Sequence, residues 1–229
     1  MATVYAGNSG YAMRYVTESW STQRNHASAT TVSDSIASYN SAIRAFHTAG
    51  RGADTYNIVR SYFYFDTSGI TGTVSSATLK IYGCCGNSTA DVIAIKSTAF
   101  GGDGSASLAA SDYGAIDFST AYSAELATWS TSGYNNITLN ATATADIKNN
   151  NAFIVCLVEH DHDYADSAPS SAGFTSGAYY DHNTGTSKDP YIDYTLATGY
   201  GNDVNGVASA NIAKVDGVAT ANIEKIIGI

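Results

Sequence analysis

The chain has 229 residues and a formal net charge of -9, because 20 acidic side chains oppose 11 Lys and Arg side chains. Nucleic acid and anionic membranes attract proteins through Lys and Arg, so both are poor candidate partners. Only 14% of the residues are charged, against about 25% in an average globular protein, and tyrosine occurs 17 times. Such a surface is neutral, hydroxyl-rich and aromatic. It favours contact with sugars or with other proteins.

The N-terminal residues lack the basic start and apolar run of a signal peptide, and no stretch approaches the roughly 18 apolar residues of a membrane span. We therefore expect a soluble cytoplasmic product. The three cysteines, Cys84, Cys85 and Cys156, have no zinc or redox spacing. They are predicted to be small buried hydrophobes, with a Cys85–Cys156 disulfide as the alternative.

Glycines separate β-branched and aromatic runs along the chain, and proline occurs only at positions 169 and 190. This pattern is typical of an all-β sandwich or barrel. Because side chains alternate along a strand, Phe63 and Phe65 are predicted to face the core, while Tyr62 and Tyr64 face an amphipathic surface. The best helix candidate is 141–149, and a weaker one is 123–128. The predicted strands are 58–67, 77–83, 91–99, 136–143, 152–160, 177–182 and 190–196.

Two segments, 101–135 and 161–176, are rich in Gly, Ser, Ala, Asp and Tyr and are predicted to be long loops. The sequence therefore predicts a jelly-roll β-sandwich over residues 1–197 with long loops. A linker at 198–203 and a short repeat tail at 204–229 follow it.

The tail repeats with a period of 11 residues, since Val-Asn-Gly-Val, Val-Asp-Gly-Val and Ile-Ile-Gly-Ile begin at positions 204, 215 and 226. Asn-Gly and Asp-Gly favour tight hairpin turns, and so few units cannot bury an apolar face alone. We therefore expect the tail to pack on sister chains or on a larger assembly, with a disordered linker as the alternative. The predicted assembly residues are Val204, Val207, Ile212, Val215, Val218, Ile223, Ile226 and Ile229.

A search for catalytic motifs finds no nucleophile elbow, phosphate loop, metalloprotease motif or dinucleotide fingerprint, so a non-enzymatic protein is expected. The densest polar cluster is 159–166, Glu-His-Asp-His-Asp-Tyr-Ala-Asp, at the end of an apolar strand. Asp161, Asp163 and Asp166 are candidate oxygen ligands for Ca²⁺, the one candidate cofactor, and His160 and His162 are candidate transition-metal ligands. The plain alternative is a solvated strand end.

A second candidate site consists of Tyr62, Tyr64 and Tyr82, which are predicted to face outward from neighbouring strands. A cross-strand aromatic row suits a protein interface or the face of a sugar ring. Plain packing beneath a loop is the third interpretation.

Two resemblances bear on function. The run Ile-Val-Arg-Ser-Tyr-Phe-Tyr-Phe-Asp from Ile58, followed by Val-Ser-Ser-Ala-Thr-Leu-Lys-Ile-Tyr from Val74, resembles the opening of DNRLRE-type domains. These are jelly-roll modules similar to carbohydrate-binding modules, and Asp-Pro-Tyr-Ile-Asp-Tyr-Thr from Asp189 looks like their final strand. The resemblance covers roughly residues 58–196. Separately, the tail pattern Val-Asn-Gly-Val-Ala-x-Ala-Asn-Ile-Ala-Lys resembles short repeats in virion structural proteins of tailed bacteriophages.

The first hypothesis is therefore a non-enzymatic structural protein of a virus particle, exposed on the virion surface as a bacteriophage decoration, head-fibre or tail-fibre component. Its tail is expected to bind other virion proteins or to form a homo-oligomer such as a trimer, through burial of its Val and Ile side chains. The alternative is a carbohydrate-binding adhesin that recognises host-surface glycans. The two roles are compatible in one receptor-binding protein.

Overall fold

The computed structural model describes residues 1–34, 41–49, 54–84, 90–170, 173–179 and 187–197, and two short strands in the tail. Strands dominate these residues, and the predicted all-β, sandwich-like fold is confirmed. The strands are β1 (Ala2–Val16), β2 (Thr31–Ser33), β3 (Ser41–Thr48), β4 (Thr55–Asp66), β5 (Val74–Tyr82), β6 (Val92–Ser97), β7 (Ile116–Ala121), β8 (Tyr134–Leu139), β9 (Ala152–Glu159), β10 (Gly173–Tyr179), β11 (Tyr191–Leu196), β12 (Lys214–Val215) and β13 (Val218–Ala219). The helices are α1 (Trp20–Arg24) and α2 (Ala141–Asn149), with helical turns at Phe100–Gly102, Ala110–Gly114 and His160–Tyr164.

The long strand β1 joins the two halves of a curled antiparallel sheet. Residues 2–5 pair with β11, whereas residues 6–16 pair with β4 across a register shift between Ala6 and Asn8. On one side lies the small sheet, in the order β1-β11-β5-β8. On the other lies the large sheet, in the order β7-β6-β9-β4. Strand β3 also pairs with β4, and β10 pairs with β3.

The main core fills the space between the two sheets. Phe63 and Phe65 from the large sheet and Leu79 from the small sheet are each fully buried in it. Helix α2 closes one side with Ala143 and Ile147. Each large side chain buried in this way stabilises the fold by about 1.5–3 kcal/mol relative to an exposed position.

A second core covers the opposite face of the large sheet. Tyr62 and Cys156 lie fully buried there, beneath Trp20 of α1 and beneath Phe100 and Tyr113 from the segment between β6 and β7. The prediction that this face of β4 is an amphipathic surface is therefore wrong. The residues that cover it come from distant parts of the chain, so the alternation within β4 carries no sign of them.

The local predictions have mixed outcomes. Helix α2 has the predicted bounds and is capped by the Asn140 carboxamide, which accepts a hydrogen bond from the Ala143 amide at 3.0 Å. The weaker helix at 123–128 is wrong, because Ser123 and Leu126 form isolated β-bridges. The predicted loops contain β7 and the start of β10. Cys84 and Cys156 are buried as predicted, while Cys85 lies outside the described residues.

The tail contributes one described feature. Strands β12 and β13 pair antiparallel, with Val215 opposite Val218, and they flank the sequence Asp216-Gly217. The dipeptide, which lies outside the described residues, is predicted to form the hairpin turn between them. The predicted linker at 198–203 and the other predicted assembly residues, Val204, Val207, Ile212, Ile223, Ile226 and Ile229, lie outside the described residues.

Candidate binding surface

The outer face of the small sheet carries a row of four tyrosines, one from each strand. Tyr5, Tyr191, Tyr134 and Tyr82 follow one another, with ring centroids 5.6, 5.1 and 5.1 Å apart. Their strand neighbours, such as Ile192, point into the main core, so alternation turns the tyrosines outward. We call these four residues the tyrosine surface.

The strand register brings the four rings together. Tyr5 lies directly opposite Tyr191 in the β1–β11 pair, and Tyr82 lies directly opposite Tyr134 in the β5–β8 pair. The Tyr134 ring meets both Tyr191 and Tyr82 edge-to-face, at 75° and 81°. Aromatic pairs of this kind contribute about 0.5–1.5 kcal/mol each beyond the area that they bury.

Hydrogen bonds hold two of the four rings in place. The Tyr82 hydroxyl donates to the Ser132 carbonyl at 2.9 Å, and the Tyr134 hydroxyl donates to the Ser187 carbonyl at 2.9 Å. Partial burial raises the pKa of Tyr134 to about 12, and the neighbouring Tyr191 adds to this rise. The phenol is therefore neutral at physiological pH. Tyr5, at the edge of the row, is 51% exposed. The surface is thus held in place at the Tyr134–Tyr82 end and open at the Tyr5 end.

Polar side chains surround the rings. Lys80 lies opposite Tyr191 on the same outward face, and Asn136 lies opposite Lys80. The Lys188 ammonium lies 5.4 Å from the centroid of the Tyr82 ring, within cation–π range. Aromatic groups with a polar rim are typical of protein interfaces and also of sugar-binding surfaces.

The predicted aromatic row is correct in kind but not in its members. Tyr82 belongs to the tyrosine surface, whereas Tyr62 is fully buried, so the prediction that it faces outward is wrong. Tyr64 is half-buried beneath Gly104, which matches the interpretation of packing under a loop. Sequence reasoning missed Tyr5, Tyr134 and Tyr191. Tyr191 sits in an alternating segment that marks it as outward, but its ring partners come from strands far away in sequence.

The three candidate calcium ligands are not brought together. Asp163 is fully buried and accepts hydrogen bonds from Arg60 on both carboxylate oxygens, at 2.7 and 2.8 Å. Asp166 accepts a hydrogen bond from the Trp20 indole at 3.2 Å. Among the described residues, Asp161 instead groups with His160 and Glu125, whose potential ligand atoms lie within 4.8 Å of one another. The Nδ1 atom of His162, the second candidate histidine ligand, lies 2.8 Å from the Ser167 carbonyl oxygen.

The Arg60–Asp163 pair is the centre of a buried network. Arg60 also donates to the carbonyls of Tyr113 and Arg24, both at 2.8 Å, and its guanidinium lies 4.1 Å from the centroid of the Tyr113 ring. Burial alone would lower the pKa of Arg60, but the adjacent Asp163 carboxylate raises it above its usual value. These contacts tie the 160–164 turn and the segment before β7 to β4. The network therefore stabilises the second core, and its carboxylate is already committed to Arg60.

Comparison of the chain with protein-family models and with curated proteins found no match. No helix in the described part of the chain is both long and apolar enough to cross a membrane.

Proposed function

We propose that this chain is a non-enzymatic structural subunit of a virus particle, displayed as a bacteriophage decoration, head-fibre or tail-fibre component. The observation that carries the proposal is the period-11 apolar repeat of the tail, within which β12 and β13 pair as a short hairpin. The resemblance of this repeat to virion structural proteins of tailed bacteriophages supports the setting. The sandwich is then the displayed part, and the tail is the attachment.

The size of the hairpin explains why the tail needs a partner. Each strand has two residues, and an isolated hairpin is marginal in water even when it is longer. Val215 lies opposite Val218 in the register of this pair, and both residues are apolar. Association of several copies multiplies weak apolar contacts. The solution mass of the full chain, compared with a chain that ends at Ala197, tests the proposal.

A second candidate function is recognition of host-surface glycans, and the tyrosine surface favours it. Tyrosine rings offer apolar faces to the C–H groups of a sugar, while Lys80 and Asn136 offer hydrogen bonds beside them. The acidic chain, with its net charge of -9, favours neutral over anionic glycans. A protein partner in the same particle would use the same surface. Measurements of glycan binding distinguish a glycan ligand from a protein partner.

Replacing Tyr191 with alanine is expected to weaken binding at this surface at least tenfold. Tyr191 is one of the two inner rings, in contact with both Tyr5 and Tyr134, and truncation of an aromatic side chain at the centre of a binding surface commonly costs about 2 kcal/mol or more of binding energy. The measurement is an array of host-surface glycans, followed by calorimetric titration of the glycans that bind.

The matched control is Tyr15→Ala, since Tyr15 is a 48% exposed tyrosine on the same strand as Tyr5 but pairs with β4 instead of β11. It should leave the affinity unchanged. If the array detects no saturable glycan, or if both variants bind equally, glycan recognition by the tyrosine surface is contradicted.

A further inference from the structure

A polar cleft opens at one end of the large sheet, where β6 ends and β9 begins. It has a volume of about 420 Å³, which is within the range of small-ligand sites. Its walls are the end of β6, the turn 149–151 between α2 and β9, and the Gly102–Asp103 tip of the loop after β6. Ala152 and Ile154 supply an apolar part of the lining. The cleft shares no residue with the tyrosine surface.

A second concavity of about 200 Å³ lies beside the first, and the two share Lys96, Ser97 and Thr98. Its other wall is formed by residues 114–117 at the start of β7. Both concavities therefore adjoin the end of β6.

The loop that forms one wall has a fixed and unusual backbone. Phe100, Gly101, Gly102 and Gly104 all have positive φ angles, between 55° and 83°. A Cβ atom on Gly104 would lie 2.3 Å from the Tyr64 ring, so the loop is packed tightly on that ring. The Gly104 amide also donates to the Phe100 carbonyl at 3.1 Å. The glycines adopt this conformation without strain, whereas at Phe100 it persists only because the surrounding structure holds it.

The charges of the cleft argue against an anionic ligand. Lys96, the one cation of the lining, donates to Asp146 at 2.8 Å, and the Tyr122 hydroxyl donates to the same carboxylate oxygen at 2.5 Å. Burial alone would raise the pKa of Asp146, but these two hydrogen bonds lower it below its usual value. The remaining charged groups of the lining are the carboxylates of Asp103 and Asp117. A phosphate or a sialic acid would therefore meet excess negative charge.

The hydrogen-bonding groups of the cleft suit hydroxyls. Within the described part of the chain, no hydrogen bond engages the side chains of Asn149, Asn151 or Thr98, all of which are exposed. A carboxamide offers two donors and an acceptor, and a sugar hydroxyl both donates and accepts, so the two match. Ala152, which is partly exposed in the same lining, adds a small apolar surface beside them.

We propose that this cleft is a binding site for a short neutral oligosaccharide, with Asn149, Asn151 and Thr98 forming hydrogen bonds to its hydroxyls. The site is separate from the tyrosine surface, and it takes from the second proposed function only the class of ligand. The chain then holds a preformed saccharide site at one end of the large sheet.

Calorimetric titration of the full chain with maltotetraose, cellotetraose and chitotetraose tests the proposal, with 3′-sialyllactose as the anionic probe. At least one neutral tetrasaccharide is expected to bind saturably, and Asn149→Ala/Asn151→Ala should weaken that binding at least tenfold. Both asparagines are exposed, so the variant should keep the unfolding midpoint of the parent protein. Thr31→Ala, an exposed polar residue on β2 that lines neither the cleft nor the tyrosine surface, is the control and should bind like the parent.

Tyr191→Ala separates this site from the tyrosine surface. If both sites bind, each variant removes one component of a two-site titration. Binding that survives Tyr191→Ala and is lost in the double asparagine variant supports the cleft, even where the tyrosine surface binds no glycan. The proposal is overturned if none of the three neutral tetrasaccharides binds, if the double variant retains full affinity, or if sialyllactose binds more tightly than all of them.

Discussion

Replacing Asp163 with alanine is expected to lower the free energy of unfolding by about 3–5 kcal/mol. The substitution leaves Arg60, whose side chain is 1% exposed, as a buried charge without its partner. Two hydrogen bonds, at 2.7 and 2.8 Å, are lost at the same time. Most of this cost comes from the guanidinium that stays buried without a counter-charge. Removing one partner of a buried ion pair therefore destabilises the protein by more than the pair's net contribution to stability.

The matched control is Asp161→Ala, two residues away on the same turn, where the side chain is 55% exposed. It should change the free energy of unfolding by no more than about 0.5 kcal/mol. Urea denaturation followed by the fluorescence of the buried Trp20 and Trp129 measures both variants. Removing both charges, in Arg60→Met/Asp163→Leu, should recover part of the loss. Equal stabilities for the two single variants would contradict the account of this network.

Replacing Gly104 with alanine is expected to cost about 1–3 kcal/mol from its left-handed backbone and a further 1–3 kcal/mol or so from overpacking. Its φ angle is +82°, and the added Cβ would lie 2.3 Å from the Tyr64 ring. Tyr64 is half-buried in a packed position and cannot move aside freely. Thermal and urea denaturation of the full chain measure the change.

Gly102→Ala isolates the backbone contribution, because Gly102 has a similar φ of +83° but no atom within 4 Å of the added Cβ. It should therefore be less destabilising than Gly104→Ala. In a Tyr64→Ala background, the cost of Gly104→Ala should fall to that of Gly102→Ala. If the cost of Gly104→Ala is the same with and without the Tyr64 ring, the proposed packing of the loop on Tyr64 is wrong.

The sequence predicts those elements whose buried positions are large and apolar. In β5, Leu79 and Ile81 alternate with polar residues, and α2 has both an asparagine cap and a buried Ile147. Strand β1 is 15 residues long and went unpredicted, because small or polar residues such as Ser9, Gly10, Ala12 and Arg14 occupy its buried positions. Alternation of hydrophobicity does not reveal a strand of this kind.

The candidate sites depend on contacts between distant residues. Alternation identifies Tyr82 as outward, but the row that includes it requires the register of β1, β11, β5 and β8. Arg60 and Asp163 are 103 residues apart, and within its own strand Arg60 has the pattern of a surface residue. A polar side chain with a buried partner and one in solvent look alike in sequence. For the same reason the sequence predicts a surface position for Tyr62, two residues after Arg60 on the same face of β4, although Tyr62 is fully buried.

The most direct test of the central claim is the solution mass, by light scattering after size exclusion, of the full chain beside a chain that ends at Ala197, just after β11. If the repeat tail assembles the protein, the full chain is expected to be an oligomer and the shortened chain a monomer. Val215→Asp in the full chain, which places a charge in the β12–β13 pair, should also give a monomer. If the full and the shortened chain have the same oligomeric state, whether both are monomers or both are oligomers, the claim that the repeat tail assembles this protein is contradicted.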